Sequence, residues 1–339
     1  MIKVLIAEDS PVVRELLVNI LQSDPEITVI GIAKNGIEAV SMAQRLHPDV
    51  ITMDIRMPEM DGVEATKVIM ERAPTRIIVV SASVDKDESQ PAFEAMKAGA
   101  LTLVEKPWGL NHKDFQSIRN NLVKTVKTMS GVKVVTRWRP KGRTPAGVKP
   151  TPAPTKIIAI GASTGGPAAL SLLLKGLPAD FSLPVLVVQH MTSGFGPAFA
   201  AWLNGESPIP VKTAELGETL KPGTVYIAPD NYHLGLNRTG KVSLTTEKLS
   251  YNHHRPSINY MFETVAKSYG TKALGILLTG MGEDGALGLR EIKQAGGKTL
   301  AQDEKSSVVY GMPKSAVALG AVDQVVAIDK IAATILTLL

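Results

Sequence analysis

Cysteine is absent from the 339 residues of this chain. Disulfides, a thiolate nucleophile and a cysteine-bound zinc site are thereby excluded. No run of 18 apolar residues exists, so no segment is expected to span a membrane. The opening stretch, Met1-Ile2-Lys3-Val4-Leu5-Ile6-Ala7-Glu8-Asp9, lacks a long apolar region and turns acidic too early for a secretory signal. A cytoplasmic location is the expectation. Acidic residues are missing altogether between Asp114 and Asp180, while Lys124, Lys127, Lys133, Arg137, Arg139, Lys141, Arg143, Lys149 and Lys156 accumulate there. The same stretch carries Pro140, Pro145, Pro150, Pro152 and Pro154, and reads as an extended, solvated linker over residues 126–154. Trp138 is its single aromatic, so the interleaving of aromatic and basic residues that marks a nucleic-acid surface is missing. No nucleic-acid partner is expected, and a DNA-binding regulator is a weak rival reading.

What is present is ordinary globular material, 44% hydrophobic and 20% charged with a net charge of +5, in a length that suits two domains. Residues 1–125 alternate strand-like and helix-like segments. The strand-like runs are Lys3–Ala7, Thr28–Ala33, Asp49–Met53, Arg76–Ser81 and Leu101–Val104. Helical patterns cover Val12–Leu21, Ile37–Arg45, Val63–Arg72 and Pro91–Lys97. Such alternation predicts a five-stranded parallel sheet with helices on both faces and ligands at the carboxyl ends of its strands. Those ends are polar: Glu8-Asp9 after the first, Asp54 after the third, Ser81-Ala82 at the fourth and Lys106-Pro107 after the fifth. Three carboxylates at one edge repel unless a cation sits among them, and oxygen ligands favour a hard ion such as Mg²⁺. A carboxylate held there can attack a phosphoryl donor while the ion, Ser81 and Lys106 balance the new charge. The plainer alternative makes Ser10 the cap of a helix opening at Pro11 and leaves the acids solvated. Capping accounts for Ser10 but not for a lysine and three acids on separate strands.

Residues 155–339 repeat the pattern, with strand-like runs at Ile157–Ile160, Val185–Val188, Thr224–Ala228, Ala273–Thr279, Lys298–Ala301 and Gln324–Ile328. A second α/β domain, doubly wound and mostly parallel, is predicted. Its first strand breaks into Gly161-Ala162-Ser163-Thr164-Gly165-Gly166-Pro167, a strand–turn–helix junction with free backbone N–H groups. A dinucleotide fingerprint would want an acidic residue ending the next strand, where Gln189-His190 stands; a phosphate loop would want Lys-Ser/Thr where Pro167-Ala168 stands. A serine nucleophile stays open. Ser163, His190 and Asp284, at the ends of different strands, can assemble an acyl-transfer triad: Ser163 attacks, His190 takes its proton, Asp284 holds the imidazole. Oxyanion donors can come from the turn after Ser163 and from the glycines around Met281. His233 is a weaker rival base, His253-His254 read as surface residues, and His47 and His112 lie in the first domain. Each triad member also has a plainer account. Ser163 could cap the helix at Pro167, His190 could be a satisfied buried histidine, and Asp284 could cap a helix through Leu289.

Four motifs tip the balance: Gly161-Ala162-Ser163-Thr164-Gly165-Gly166, Gln189-His190-Met191, Arg255-Pro256-Ser257 and Leu278-Thr279-Gly280-Met281-Gly282-Glu283-Asp284-Gly285-Ala286. They resemble the CheB family of chemotaxis response-regulator protein-glutamate methylesterases, and residues 1–125 resemble its flavodoxin-like receiver domain. The resemblance implies Ser163, His190 and Asp284 as the triad, with Thr164 and Met281 donating backbone N–H groups to the oxyanion. It implies Asp54 as phosphoacceptor, Ser81 and Lys106 as phosphoryl contacts, and Glu8, Asp9, Asp54 and the Arg56 carbonyl around Mg²⁺. Two positions depart from the family pattern: Leu103, where such receivers often carry an aromatic, and Glu283, where many relatives have asparagine. The implied activity is phosphorylation-activated demethylation, with deamidation, of methyl-accepting chemoreceptors. A chemotaxis histidine kinase would be the phosphodonor, no cofactor would serve the hydrolysis, and membranes would be met only through the receptors. The rival from another class is a phosphorylation-gated binding module without catalysis.

Overall fold

A computed structural model describes residues 1–81, 86–107, 115–132, 155–247 and 254–339. The expected linker lies outside the described residues from position 133 onward, as do Ala82, His112 and His253. The chain divides into two compact units on either side of that stretch.

In the first unit the strands are β1 (Ile2–Ala7), β2 (Ile27–Ala33), β3 (Val50–Asp54), β4 (Arg76–Ser81) and β5 (Thr102–Glu105). The helices are α1 (Pro11–Gln22), α2 (Gly36–Leu46), α3 (Gly62–Arg72), α4 (Lys86–Ala98) and α5 (Phe115–Ser130). The sheet order is β2-β1-β3-β4-β5 with every pairing parallel, the flavodoxin-like arrangement expected from the sequence. All five residues of central β3 are buried, as a strand covered on both faces requires. Asn35 accepts the Glu38 N–H at the start of α2, and Asp61 accepts the Glu64 N–H at the start of α3. Each such cap contributes about 1 kcal/mol and fixes where the loop at the strand end gives way to helix.

Two details differ from the sequence reading. Ser10 occupies the cap position of α1, but its side chain makes no capping bond; its N–H donates to Glu8 Oε1 at 3.2 Å instead. Helix α5 runs past residue 125, into what was expected to be linker. The reason is its apolar stripe: Phe115, Ile118, Leu122, Val126 and Met129 recur at helical spacing and are buried. The basic residues there belong to the opposite face, where Lys127 pairs with Asp24 and Glu26, both at 3.1 Å.

The second unit has strands β6 (Ile157–Ala162), β7 (Val185–Gln189), β8 (Val211–Thr213), β9 (Val225–Ile227), β10 (His233–Leu236), β11 (Val242–Thr245), β12 (Ala273–Leu277), β13 (Lys298–Gln302) and β14 (Gln324–Val326). Its helices are α6 (Gly166–Lys175), α7 (Gly196–Glu206), α8 (Ile258–Tyr269), α9 (Ala286–Gln294), α10 (Met312–Ala318) and α11 (Ile328–Leu338). Seven strands form one parallel sheet in the order β14-β13-β12-β6-β7-β9-β8. The chain enters at β6, builds outward through β7 in one direction, and returns to lay β12 on β6's other side. Strand order therefore reverses between β6 and β12, and a crevice for ligands opens there at the carboxyl ends. The edge strand β8 and the separate β10–β11 hairpin are absent from the sequence reading, their runs being only three or four residues long. Asn237 turns the hairpin by accepting the Thr239 and Lys241 N–H groups through Oδ1 at 2.9 and 3.1 Å. The apolar face of α8, with Ile258, Met261, Phe262 and Val265, is buried in one core cluster with residues of β6, β12 and the hairpin. That burial delivers the N-terminus of α8 to the crevice.

Among the described residues no helix is long and apolar enough to cross a membrane.

Candidate active site

Parallel pairing of β6 with β7 matches Ala162 to Gln189. One residue further on, Ser163 and His190 leave neighbouring strands side by side, at the strand spacing of about 5 Å. The His190 N–H donates to the Ala162 carbonyl at 3.0 Å, and the Ser163 N–H donates across to the Thr279 carbonyl beyond β12, also at 3.0 Å. Ser163 thus sits at the point where strand order reverses. The backbone at Gly280 runs close to it: a Cβ there would lie 2.7 Å from Ser163 Cβ. Ser163 does not cap α6. Gly165, with φ 77°, holds the cap position, and among the described residues the Ser163 hydroxyl has no hydrogen-bond partner.

His190 and Asp284 meet directly, Nε2 to Oδ2 at 2.9 Å, with side chains only 10% and 5% exposed. Asp284 lies just before α9 but does not cap it; the cap position of α9 is Gly285. Its carboxylate instead faces the N-terminus of α8. It accepts the N–H groups of Ile258 at 2.8 Å, Asn259 at 3.1 Å and its neighbour Gly285 at 2.9 Å, and the Ser257 hydroxyl at 3.3 Å. Burial alone would raise this carboxyl, but the imidazole of His190 and the Ile258 and Asn259 N–H groups outweigh it and lower the pKa from 3.8 to about 2. Asp284 is therefore an anion near neutral pH. Because that carboxylate can only accept, an imidazole carrying one proton holds it on Nε2 and turns the Nδ1 lone pair to the other side.

Among the described residues neither the Thr164 N–H nor the Met281 N–H meets an acceptor. The Thr279 hydroxyl braces the two loops that carry them, donating to the Thr164 carbonyl at 2.9 Å and accepting the Val309 N–H at 3.0 Å. Glu283 is exposed, and its carbonyl accepts the Ala286 N–H at the start of α9.

Among the remaining described histidines, the reading of His233 is the one that changes. His233 is not available as a base. It is 2% exposed, and its Nδ1 accepts the Ser257 N–H at 3.1 Å. Burial and then the Arg255 charge depress its pKa, against the Glu247 carbonyl and Asp284. His254 is exposed, as expected of a surface residue, and it also stacks on His190 with ring centroids 4.5 Å apart. His47 ends α2 in the left-handed conformation, φ 45°, in the other unit. Sequence reasoning also missed Ser257 and the two N–H groups after it. The signal was present in Arg255-Pro256-Ser257, a serine at a helix start, but nothing local says that an aspartate 27 residues away uses that helix end.

In the first unit Lys106 Nζ lies 2.8 Å from Glu8 Oε2 and 2.9 Å from Asp54 Oδ1. Asp54 ends β3, Ser81 ends β4, and the Lys106 N–H donates to the Ser81 carbonyl at 2.7 Å. Asp9 is exposed beside Glu8, Arg14 braces that loop through the Glu8 and Asp9 carbonyls, and exposed Arg56 follows β3. Burial raises the carboxyls of Glu8 and Asp54 above their ordinary range, in Glu8 with help from the Asp54 charge, despite Lys106. Burial would lower the Lys106 ammonium, but Asp54 and Glu8 raise it instead. Carboxylate oxygens of Glu8, Asp9 and Asp54 lie within 4.8 Å of one another. Three carboxylates crowded at one strand edge, more than the single Lys106 ammonium balances, offer an all-oxygen set that fits a hard divalent cation such as Mg²⁺. Leu103, at the position often aromatic in receivers, is 7% exposed in β5.

Comparison with known proteins matches both units. Residues 158–335 fit the family described as CheB methylesterase, and residues 4–115 fit the response regulator receiver domain. The protein-glutamate methylesterase/protein-glutamine glutaminase 4 of Myxococcus xanthus is 48% identical over 338 residues, 98% of this chain and 95% of the relative. The protein-glutamate methylesterase/protein-glutamine glutaminase of Nitrosospira multiformis is likewise 48% identical, over 100% of this chain and 97% of its own length. The crystal structure of the Thermotoga maritima CheB methylesterase catalytic domain is 41% identical with a TM-score of 0.53, covering 55% of this chain and 100% of that one. A receiver fold followed by a catalytic fold, matched from end to end by relatives of one kind, makes this chain a member of the CheB methylesterase family.

Proposed function

We propose that the protein is a phosphorylation-activated serine hydrolase that removes methyl esters from glutamates of chemoreceptors and deamidates receptor glutamines. The observation that carries this reading is the 2.9 Å bond between His190 and an ionised Asp284, beside a serine in adjacent strand register. Ser163 Oγ attacks the ester carbonyl as its proton passes to Nδ1 of His190, the nitrogen that Asp284 leaves free. The imidazolium so formed is stabilised by Asp284. Negative charge on the carbonyl oxygen is met by the Thr164 and Met281 N–H groups. Collapse expels methanol, which takes the proton from His190, and leaves a glutamyl ester on Ser163. Water, deprotonated by His190, then releases the glutamate carboxylate and restores the serine. With a glutamine side chain the same steps expel ammonia. Acid quenching during turnover should trap a peptide on Ser163 heavier by the receptor fragment less methanol; a fragment found on any other residue would sink the assignment.

In the receiver, Asp54 is the phosphoacceptor, with a chemotaxis histidine kinase as donor. Glu8, Asp9, Asp54 and the Arg56 carbonyl would hold Mg²⁺, which when bound supplies charge neutralisation for the incoming phosphoryl group. Ser81 and Lys106 contact that group, and Lys106 exchanges part of its pairing with Asp54 for it. The hydrolysis itself is assigned to protein groups alone. Work on receptor cytoplasmic regions beside a kinase fits a cytoplasmic location.

Two outcomes follow for the receiver. Mg²⁺ at ten times its dissociation constant should raise stability by about 1.4 kcal/mol, read as a rise in melting temperature. Asp9→Asn should remove most of that rise; an undiminished rise would place the ion elsewhere. Asp54→Asn should abolish the stimulation of ester hydrolysis by acetyl phosphate; persisting stimulation would contradict the assignment of Asp54.

A further inference from the structure

Gln189 does something at the site that the three reacting side chains leave unexplained. It ends β7 and is 5% exposed. Its Nε2 donates to the Ser163 carbonyl at 2.8 Å and to the His190 carbonyl at 2.7 Å. Its Oε1 is buried without a hydrogen-bond partner among the described residues, wedged against Gly166, where any Cβ would collide with it. The amide cannot face the other way, because that would press its oxygen against two carbonyl oxygens. An orphaned buried acceptor costs about 1–3 kcal/mol. Methionine, of similar volume and without polar atoms to satisfy, would fill the space without that cost. Packing alone therefore does not explain the carboxamide; the two bonds that Nε2 donates do.

What it provides is a cross-link. The regular ladder between β6 and β7 ends with the His190 N–H on the Ala162 carbonyl. Beyond that point the Ser163 N–H turns away to the Thr279 carbonyl on the opposite side. Among the described residues, the Gln189 amide is then the one group bonded to both the nucleophile's backbone and the base's. We infer that Gln189 is a positioning residue: by bridging the Ser163 and His190 carbonyls it sets the separation of hydroxyl and imidazole needed for proton transfer. This rests on the serine-hydrolase reading above. Misplacement by about 1 Å at such a junction can cost on the order of 10²-fold in rate.

The test uses the full-length chain and two variants. Gln189→Met removes both donors and the orphaned oxygen together. Its kcat for methanol release should fall roughly 10- to 100-fold with KM within about twofold, a loss larger than any fall in melting temperature accounts for. Gln189→Glu presents a buried carboxyl to two carbonyls, which favours its protonated form. Its kcat relative to wild type should climb as pH falls, because the protonated acid regains a donor. A merely structural side chain would not make kcat relative to wild type climb as pH falls. Labelling of Ser163 by a sulfonyl fluoride, followed by mass spectrometry, supplies a readout independent of the receptor substrate. Gln189→Met should label at least tenfold more slowly than wild type. Equal labelling rates in the two proteins would overturn the inference, as would losses that track melting temperature in both variants. A wild type that labels at Ser163 yet releases no methanol would overturn the methylesterase reading alone. One that does not label there would overturn both.

Discussion

Replacing Ser163 with alanine should lower kcat for methyl-ester hydrolysis by roughly 10⁵- to 10⁶-fold, leaving only what binding and oxyanion donors supply. The same change should leave stability within about 0.5 kcal/mol of wild type. Both halves follow from the geometry. The hydroxyl has no hydrogen-bond partner among the described residues, so its loss orphans nothing. The backbone bonds that place residue 163, to Thr279, Gly166 and Gln189, do not involve the side chain. Receptor binding should persist, because the reacting oxygen alone is gone. Methanol assays on matched, folded samples check this; a loss smaller than tenfold would exclude Ser163 as nucleophile.

Asp284→Asn should cost about 10⁴-fold in kcat, and here stability should suffer as well. Oδ2 accepts from both His190 Nε2 and the Ile258 N–H, and Oδ1 from Asn259, Gly285 and Ser257. An asparagine must turn its NH₂ toward one of these two sets. If the amide nitrogen faces His190 it donates to Nε2 and drives the imidazole proton to Nδ1, toward Ser163, where a lone pair is required. If it faces the other way, two backbone donors lose their acceptor. With a folded pKa of about 2 against 3.8, the native carboxylate stabilises the fold by about 2 kcal/mol. Because the folded value is the lower one, that stability is complete above pH 4 or so and is lost as pH falls through about 2. Wild type and Asp284→Asn should therefore differ in stability at pH 7 and converge in acid. Rates within tenfold of each other would contradict the role given to Asp284.

Most of this architecture was legible in the residues. The receiver's sheet could be read because each polar residue at its edge terminates an apolar run, and strand ends in a parallel sheet share one edge. Ser163 and His190 were legible for the same reason. Asp284 was legible as a carboxylate but not in its setting: α9, the nearest helix, was the natural one for it to cap, and α8 is the one it serves. Main-chain donors carry no side-chain signature, so the Ile258 and Asn259 N–H groups could not be seen before the fold brought them round. The β10–β11 hairpin escaped because four-residue strands show too little alternation, and with it went the proper place of His233. Lys124 and Lys127 misled by composition. Beside a proline-rich stretch they look like linker, and only the apolar spacing of Val126 and Met129 marks them as helix.

Release of methanol from methylated receptor membranes, measured with and without acetyl phosphate and Mg²⁺, tests the whole account most directly. One methanol should appear for each glutamate ester lost, faster when the phosphodonor is present. Tight association with those membranes and no methanol under either condition would instead describe a gated binding protein.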